Sequence, residues 1–138
     1  TLMVPEGNAI VYCEGAFGTP NGKTAHGLVR RTRRYDVLSV VDSRRAGEDA
    51  GHALDGRERG IPILKSLGDA VAHAARAGRR ATHLVIGLAP DGGRLPLLLR
   101  TLEGRGVSVR GVSTRETSLE DAFIAIVGRG LEEGEAPV

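Results

Sequence analysis

The sequence of 138 residues is poor in aromatic side chains, with no tryptophan, two phenylalanines and two tyrosines. Hydrophobic residues still make up 41% of the chain, so the core has to consist of Val, Ile, Leu and Ala. The scarcity of rings also argues against nucleic-acid binding, in which bases stack on aromatic side chains. The arginine-rich stretch 30–34 is therefore interpreted as the solvated end of a helix, where cations complement the helix dipole.

The sequence contains a single cysteine, Cys13, which excludes an intramolecular disulfide and predicts a reducing compartment, the cytoplasm. Because Cys13 lies in an apolar strand-like run, we expect a buried thiol rather than a nucleophile. No apolar run is long enough to span a bilayer, and no basic-then-apolar signal peptide opens the sequence. The sequence thus predicts no membrane span.

Strand-like and helix-like segments alternate along the chain. This alternation predicts an α/β fold, a Rossmann-like, doubly wound and mainly parallel sheet of about five strands. We expect one domain over residues 1–131, followed by a frayed acidic tail at 132–138. The predicted strands cover 9–13, 36–42, 60–64, 82–88 and 107–112. The predicted helices cover 23–33, 46–54, 67–77, 95–103 and 119–127.

The glycine-rich segment 12–27 lies between the first predicted strand and the first predicted helix. Backbone N–H groups of such a turn can face an anion at a helix N-terminus, and Lys23 and Thr24 add a cation and a hydroxyl there. The spacing of Gly15, Gly18 and Gly22 fits neither the phosphate-binding loop of nucleotide hydrolases nor the dinucleotide fingerprint. The segment therefore predicts contacts with a phosphate-bearing ligand without identifying the type of loop.

Two other loops belong to the same predicted sheet edge, where ligands of doubly wound folds bind. Asp42 ends the second strand and is interpreted either as an acceptor for a ribose hydroxyl or as an N-cap or Asx turn. Ser43, Arg44 and Arg45, next to it, are equally suited to holding a phosphate. Gly92 and Gly93, after the fourth strand, allow either close backbone approach to a ligand or a plain tight turn.

The residue pattern assigns no catalytic group. It contains no nucleophile paired with a base and no clear pair of carboxylates. His26 is interpreted as structural, and the other histidines have no spacing that forms a metal site, so no metal is expected.

Several segments, in order, resemble the N-terminal Rossmann-like domain of the D-glutamate N-acetyltransferase-like family, and the resemblance covers about residues 8–96. It is carried by residues 15–19, 23–30, 41–44, 46–51, 54–56, 60–63 and 86–96. In that family a second, C-terminal domain carries the phosphate-binding loop. The resemblance therefore implies the accessory half of an acyl-transfer enzyme. It also implies that ligand-facing residues lie at the positions singled out above, Gly15, Gly18, Gly22, Lys23, Thr24, Asp42, Ser43, Arg44, Gly92 and Gly93.

The last third of the chain, about residues 97–130, is weakly similar to the C-terminal tail of ATP-binding subunits of export-type ABC transporters. That similarity rests mostly on helical patterning and does not imply an ATPase, because no nucleotide-binding core precedes it.

The function predicted from these features is binding of a nucleotide or coenzyme A at the carboxyl edge of the sheet. We expect the domain to act with a C-terminal P-loop partner domain or as a homo-oligomer. Two alternatives stay open. One is a scaffold or oligomerisation module with no small-molecule activity, and the other is a complete small transferase.

Overall fold

The computed structural model describes residues 7–18, 23–31, 35–87, 94–116 and 121–128. Within these ranges the strands are β1 (Gly7–Tyr12), β2 (Tyr35–Val41), β3 (Ile63–Leu64), β4 (His83–Gly87), β5 (Ser108–Glu116) and β6 (Asp121–Gly128). The helices are α1 (Lys23–Arg31), α2 (Ala50–Asp55), α3 (Leu67–Arg76) and α4 (Arg94–Gly104), with a short 3-10 turn at Ser43–Arg45.

The strands form one six-stranded sheet in the order β3-β2-β1-β4-β6-β5. Strands β1 to β4 pair in parallel, whereas β6 runs antiparallel to both of its neighbours, β4 and β5. Since β4 and β5 both oppose β6, they run in the same direction. The carboxyl ends of β1, β2, β4 and β5 therefore meet at one edge of the sheet.

Helices cover the sheet from both sides, which confirms the predicted Rossmann-like α/β fold. On the first face, Val29 of α1 and Ala50 of α2 pack with Val11 and Val40 of the central strands. On the second face, Ala70 of α3 and residues of α4 pack over the other side of the same strands, and that cluster also contains Ile10, Val41, Leu84, Leu98 and Leu102. Both faces of the parallel strands are buried, as their nearly continuous apolar sequences predict.

The predicted last helix, 119–127, is wrong, because residues 121–128 form β6. An apolar run of this length does not separate a buried helix from a buried strand by periodicity. Here the run is rich in β-branched residues and pairs on both sides, with β4 and with β5. The helical patterning behind the resemblance to ABC transporter tails is therefore absent from residues 121–128.

Smaller differences concern the region between β2 and α3. The helix predicted at 46–54 is reduced to α2, which begins at Ala50, because Gly47 takes a left-handed φ of 97° that a helix does not allow. The 3-10 turn lies before the predicted range. The predicted strand 60–64 is reduced to β3, which lies at the sheet edge, as Pro62 before it suggested. The predicted acidic tail, 132–138, lies outside the described residues.

Asp49 organises this region. Its carboxylate caps α2 by accepting from the His52 N–H, and it also accepts from the N–H groups of Arg59 and Ile61. Partial burial alone would raise the pKa of Asp49, but these N–H donors outweigh it and lower the pKa below the ordinary value of 3.8. One side chain thus fixes both the start of α2 and the loop that leads to β3.

This arrangement predicts a pH dependence of stability. Since the pKa of Asp49 is lower in the folded chain, its stabilising contribution is present above pH 3.8 and is lost as the pH falls through the folded value. We expect Asp49→Asn to lower the free energy of unfolding by about 1–2 kcal/mol at pH 7. The difference between the two proteins should shrink below pH 3.8, as measured by urea unfolding at several pH values.

The comparison with Asp49→Asn is needed because Asp55 titrates in the same range. Hydrogen bonds from the Arg59 guanidinium lower the pKa of Asp55 as well. Subtracting the free energy of unfolding of Asp49→Asn from that of the parent protein removes the contribution of Asp55, which the two proteins share. An energy difference that is the same at pH 7 and pH 3 would contradict the assigned role of the Asp49 carboxylate.

Within the described ranges no helix is both long and apolar enough to cross a membrane.

Candidate functional site

The carboxyl edge of the sheet is organised around the Asp42 carboxylate, which directly follows β2. Its Oδ1 accepts hydrogen bonds from the N–H groups of Gly15 and Arg44, each at 3.0 Å. Its Oδ2 accepts from the Phe17 N–H, also at 3.0 Å. Asp42 is only 1% exposed, so three N–H donors replace the water that a buried carboxylate loses. One side chain therefore joins the loop after β1 to the turn after β2.

These contacts decide how the first part of the glycine-rich segment uses its N–H groups. Those of Gly15 and Phe17 donate to Asp42, and that of Ala16 donates to the Cys13 carbonyl at 3.1 Å. Three successive donors are thus directed into the protein. Asp42 adopts the N-cap role, one of the two interpretations from the sequence, and its contact with a ribose hydroxyl stays a prediction.

The buried side chain of Phe17 anchors the same loop to the hydrophobic core. Its ring is 1% exposed and packs in the cluster of the first face with Ala25 and Val29 of α1. The His26 ring stands edge-on to it, with ring centroids 5.2 Å apart, and His26 Nε2 lies 2.5 Å from the Phe17 carbonyl. Since a carbonyl only accepts, His26 Nε2 carries the proton and donates, which agrees with the structural interpretation of His26.

Two arginines approach the glycines of this loop. A Cβ on Gly18 would lie 2.7 Å from Nη2 of Arg45, so the guanidinium occupies the space above Gly18. Gly15, with a left-handed φ of 76°, lies below Arg44, whose Nε would be 4.0 Å from a Cβ there. At Gly18 the missing side chain leaves room for the Arg45 guanidinium, whereas at Gly15 the distance to Arg44 is that of an ordinary van der Waals contact. Arg45 belongs, with Ser43 and Arg44, to the run of residues that the sequence indicates as suited to a phosphate.

Two carboxylates contact the turn that carries these arginines. Glu14 accepts from the Ser43 N–H at 2.7 Å and from the Ser43 hydroxyl at 2.5 Å, which ties the arginine turn to the loop. Arg45 Nη1 lies 3.6 Å from Glu48 in an exposed ion pair. An exposed pair of this kind is weak, so it leaves the guanidinium available to an anion.

The structure brings together five of the ten predicted ligand residues: Gly15, Gly18, Asp42, Ser43 and Arg44. Lys23 and Thr24 begin α1, as predicted, but only their backbone is described. Gly22, Gly92 and Gly93 lie outside the described residues, so their predicted contacts stay predictions.

The topology gives this edge the form of a ligand site. Strand β1 lies between β2 and β4, and the chain leaves β1 toward α1 on the first face but enters α4 on the second face after β4. Doubly wound folds bind their ligands at such a divergence, beyond the carboxyl ends of the two strands, which here are β1 and β4. The arginine turn Ser43–Arg45 follows the neighbouring strand β2 at the same edge. The arrangement favours anion binding over acid–base chemistry.

Comparisons with known proteins support the fold. The model of a Rossmann-like domain of unknown function, DUF1611_N, matches residues 43–109, a little under half of the chain. The crystal structure of a DUF1611 family protein from Anabaena variabilis is similar, with a TM-score of 0.58 and 25% sequence identity. That similarity covers 75% of this chain but only 29% of the Anabaena protein. No curated protein matches the chain.

Both similarities agree with the Rossmann-like part of the predicted family resemblance. Neither carries the acetyltransferase name, and neither supports the resemblance to ABC transporter subunits.

Proposed function

We propose that this chain is the Rossmann-like N-terminal domain of a D-glutamate N-acetyltransferase-like protein and binds a nucleotide or coenzyme A. The ligand would lie at the carboxyl edge of the sheet, with a phosphate beside Arg44 and Arg45. The single observation that carries the proposal is the position of these two arginines, since the Arg45 guanidinium lies against Gly18 and Arg44 Nε lies near Gly15, at the sheet edge where the chain leaves β1 and β4 toward opposite faces. Guanidinium groups bind phosphate through paired, charge-assisted hydrogen bonds. Lys23, at the start of α1, would add a third cation.

We further propose that the domain acts together with a second domain of the same protein. The observation in favour is Ile126 of β6, which is 45% exposed although β6 lies inside the sheet. Its neighbour Val127 packs under the helices of the second face, so by strand alternation Ile126 belongs to the first face. A partner domain, such as the P-loop domain that the resemblance implies, or a second copy of the chain would bury this position.

The buried Cys13 is consistent with a cytoplasmic protein.

Thermal unfolding with coenzyme A, acetyl-coenzyme A, ATP and NAD tests the proposal. A ligand present at about 100 times its Kd adds about 2.7 kcal/mol of stability, which raises the Tm of a domain of this size by several degrees. We expect Lys23→Ala and Arg44→Ala each to reduce that shift strongly. Arg76→Ala, in the last turn of α3, is the control with the same loss of charge and should keep the shift.

A scaffold without a small-molecule ligand is the second candidate. It is favoured by the inward donation of the N–H groups of Gly15, Ala16 and Phe17, which are not directed at a ligand. A Tm that none of the four ligands raises would support the scaffold and refute nucleotide binding. A shift that Lys23→Ala and Arg44→Ala both leave unchanged would move the ligand to another part of the surface. Turnover of D-glutamate with acetyl-coenzyme A by this chain alone is not expected and would indicate a complete transferase.

A further inference from the structure

A cavity of about 480 Å³ lies between α3 and α4, away from the site described above. It is bounded by the segment Arg79–Ala81 before β4 and by Gly106 and Val107 before β5. These segments mark the amino ends of β4 and β5, whereas Asp42 and its neighbours follow the carboxyl end of β2. The two sites are therefore at opposite edges of the sheet.

The floor of the cavity is apolar. It consists of side chains from three strands and α4 that are 1–4% exposed, Ile10, Leu84, Leu102 and Val127. The wall on α3 consists of Val71 and alanines, whose short side chains leave the space over the floor unfilled. A volume of this size is within the range of small-molecule sites, which are about 300–1,000 Å³ and mostly apolar.

The mouth of the cavity is basic. Of its fifteen lining residues, three are arginines (Arg79, Arg80 and Arg105), one is a histidine and none is acidic. Arg79 already donates to Asp36 on β2 at 3.2 Å. Arg105, by contrast, has no carboxylate partner among the residues that the structure describes.

Arg105 crosses the groove between the helices. It follows α4 directly, and its Nη2 would lie 2.6 Å from a Cβ on Gly68, which belongs to the first turn of α3. The guanidinium therefore lies against the first turn of α3, in the space that Gly68 leaves open. Arg105 is exposed as a whole and also lines the cavity, as expected for an arginine whose stem covers apolar surface while its charged end stays in contact with water.

We propose that this cavity binds a small amphiphile with an apolar chain and one anionic head group, such as a medium-chain carboxylate. The chain would replace water on the floor formed by Leu84, Leu102 and Val127, which offers no hydrogen-bond partners from its side chains. The head group would remain at the mouth and accept hydrogen bonds from the Arg105 guanidinium. A fully polar ligand would leave its polar groups unpaired against that floor.

Titration of the ¹⁵N-labelled protein with decanoate, below its micelle concentration, tests the proposal by NMR. We expect the amide signals of Leu102, Gly106 and Val107 to shift together with a single Kd. 1-Decanol, which has the same chain without the charge, should bind at least about tenfold more weakly. Absence of shifts at these amides, or equal affinities for the two compounds, would overturn the proposal.

Four variants test the site and separate the head-group contact from general effects of charge. Arg105→Gln should weaken decanoate binding about tenfold, whereas Arg100→Gln, an exposed position on α4 outside the cavity, should change it less than twofold. Ala72→Leu should block binding by filling the cavity and provides a second test if Arg105→Gln perturbs α4. Decanoate affinity that survives both Arg105→Gln and Ala72→Leu would refute the site. Lys23→Ala should leave the affinity for decanoate unchanged, because Lys23 lies at the other edge of the sheet. Failure of nucleotide binding at that edge would therefore not affect the result for the cavity.

Discussion

Replacing Phe17 with alanine should lower the free energy of unfolding by about 4 kcal/mol, the largest single-residue effect that we expect in this chain. The ring is 1% exposed and packs against Ala25 and Val29, so its removal leaves a cavity between the loop and α1. It also removes the edge-on partner of His26. Urea unfolding followed by circular dichroism measures the loss.

The matched control for Phe17 is Leu97→Ala on α4. Leu97 is 60% exposed, so its truncation should change the free energy of unfolding by less than about 0.5 kcal/mol. A loss below about 1 kcal/mol for Phe17→Ala would mean that the loop after β1 packs only loosely on the sheet. The structural account of the candidate site would then be wrong.

Replacing Asp42 with alanine is expected to cost about 3 kcal/mol, because the N–H groups of Gly15, Phe17 and Arg44 lose their acceptor together. The loss is large because the carboxylate is 1% exposed and water cannot easily take its place. Asp42→Asn should cost less than Asp42→Ala, since its carbonyl oxygen can still accept from Gly15 and Arg44. Denaturant unfolding of the three proteins at one pH measures both differences.

Asp36, which lies on β2, supplies the control. It is exposed and takes part in a surface ion pair with Arg79, at 3.2 Å, so Asp36→Ala should change stability by less than about 1 kcal/mol. If Asp36→Ala and Asp42→Ala cost the same, the effect of Asp42 would not come from its three buried hydrogen bonds. Hydrogen exchange of the Gly15 and Phe17 amides provides an independent readout, and we expect faster exchange in Asp42→Ala.

The candidate site was partly predictable. Strand ends can be read from apolar runs followed by polar or glycine residues, and parallel strands bring their carboxyl ends to one edge. Gly15, Gly18 and Asp42 could therefore be assigned to one region. The direction in which the Asp42 carboxylate points could not be predicted, because a ribose hydroxyl and a backbone N–H are both chemically suitable donors to it. Only the fold places three N–H donors around it.

Phe17 and Arg45 show a second limit of the sequence. One aromatic residue among glycines gives no signal of its own, and its burial depends on how α1 lies over β1. Arg45 is suited to a phosphate by its type and position, but its contact with Gly18, twenty-seven positions earlier in the chain, cannot be read from the local sequence. Contacts between distant segments follow from strand order, and local patterns do not specify that order.

The sequence by itself determined the alternation of strands and helices from β1 to α4, since apolar runs and glycine turns are local signals of these elements. It also determined that a parallel sheet collects its loops at one edge. Only the tertiary structure decided that residues 121–128 form a strand, because the neighbours β4 and β5 supply the hydrogen bonds that favour a strand over a helix. It likewise decided that Asp42 faces inward and that a cavity remains between α3 and α4, since both depend on packing between segments far apart in the chain.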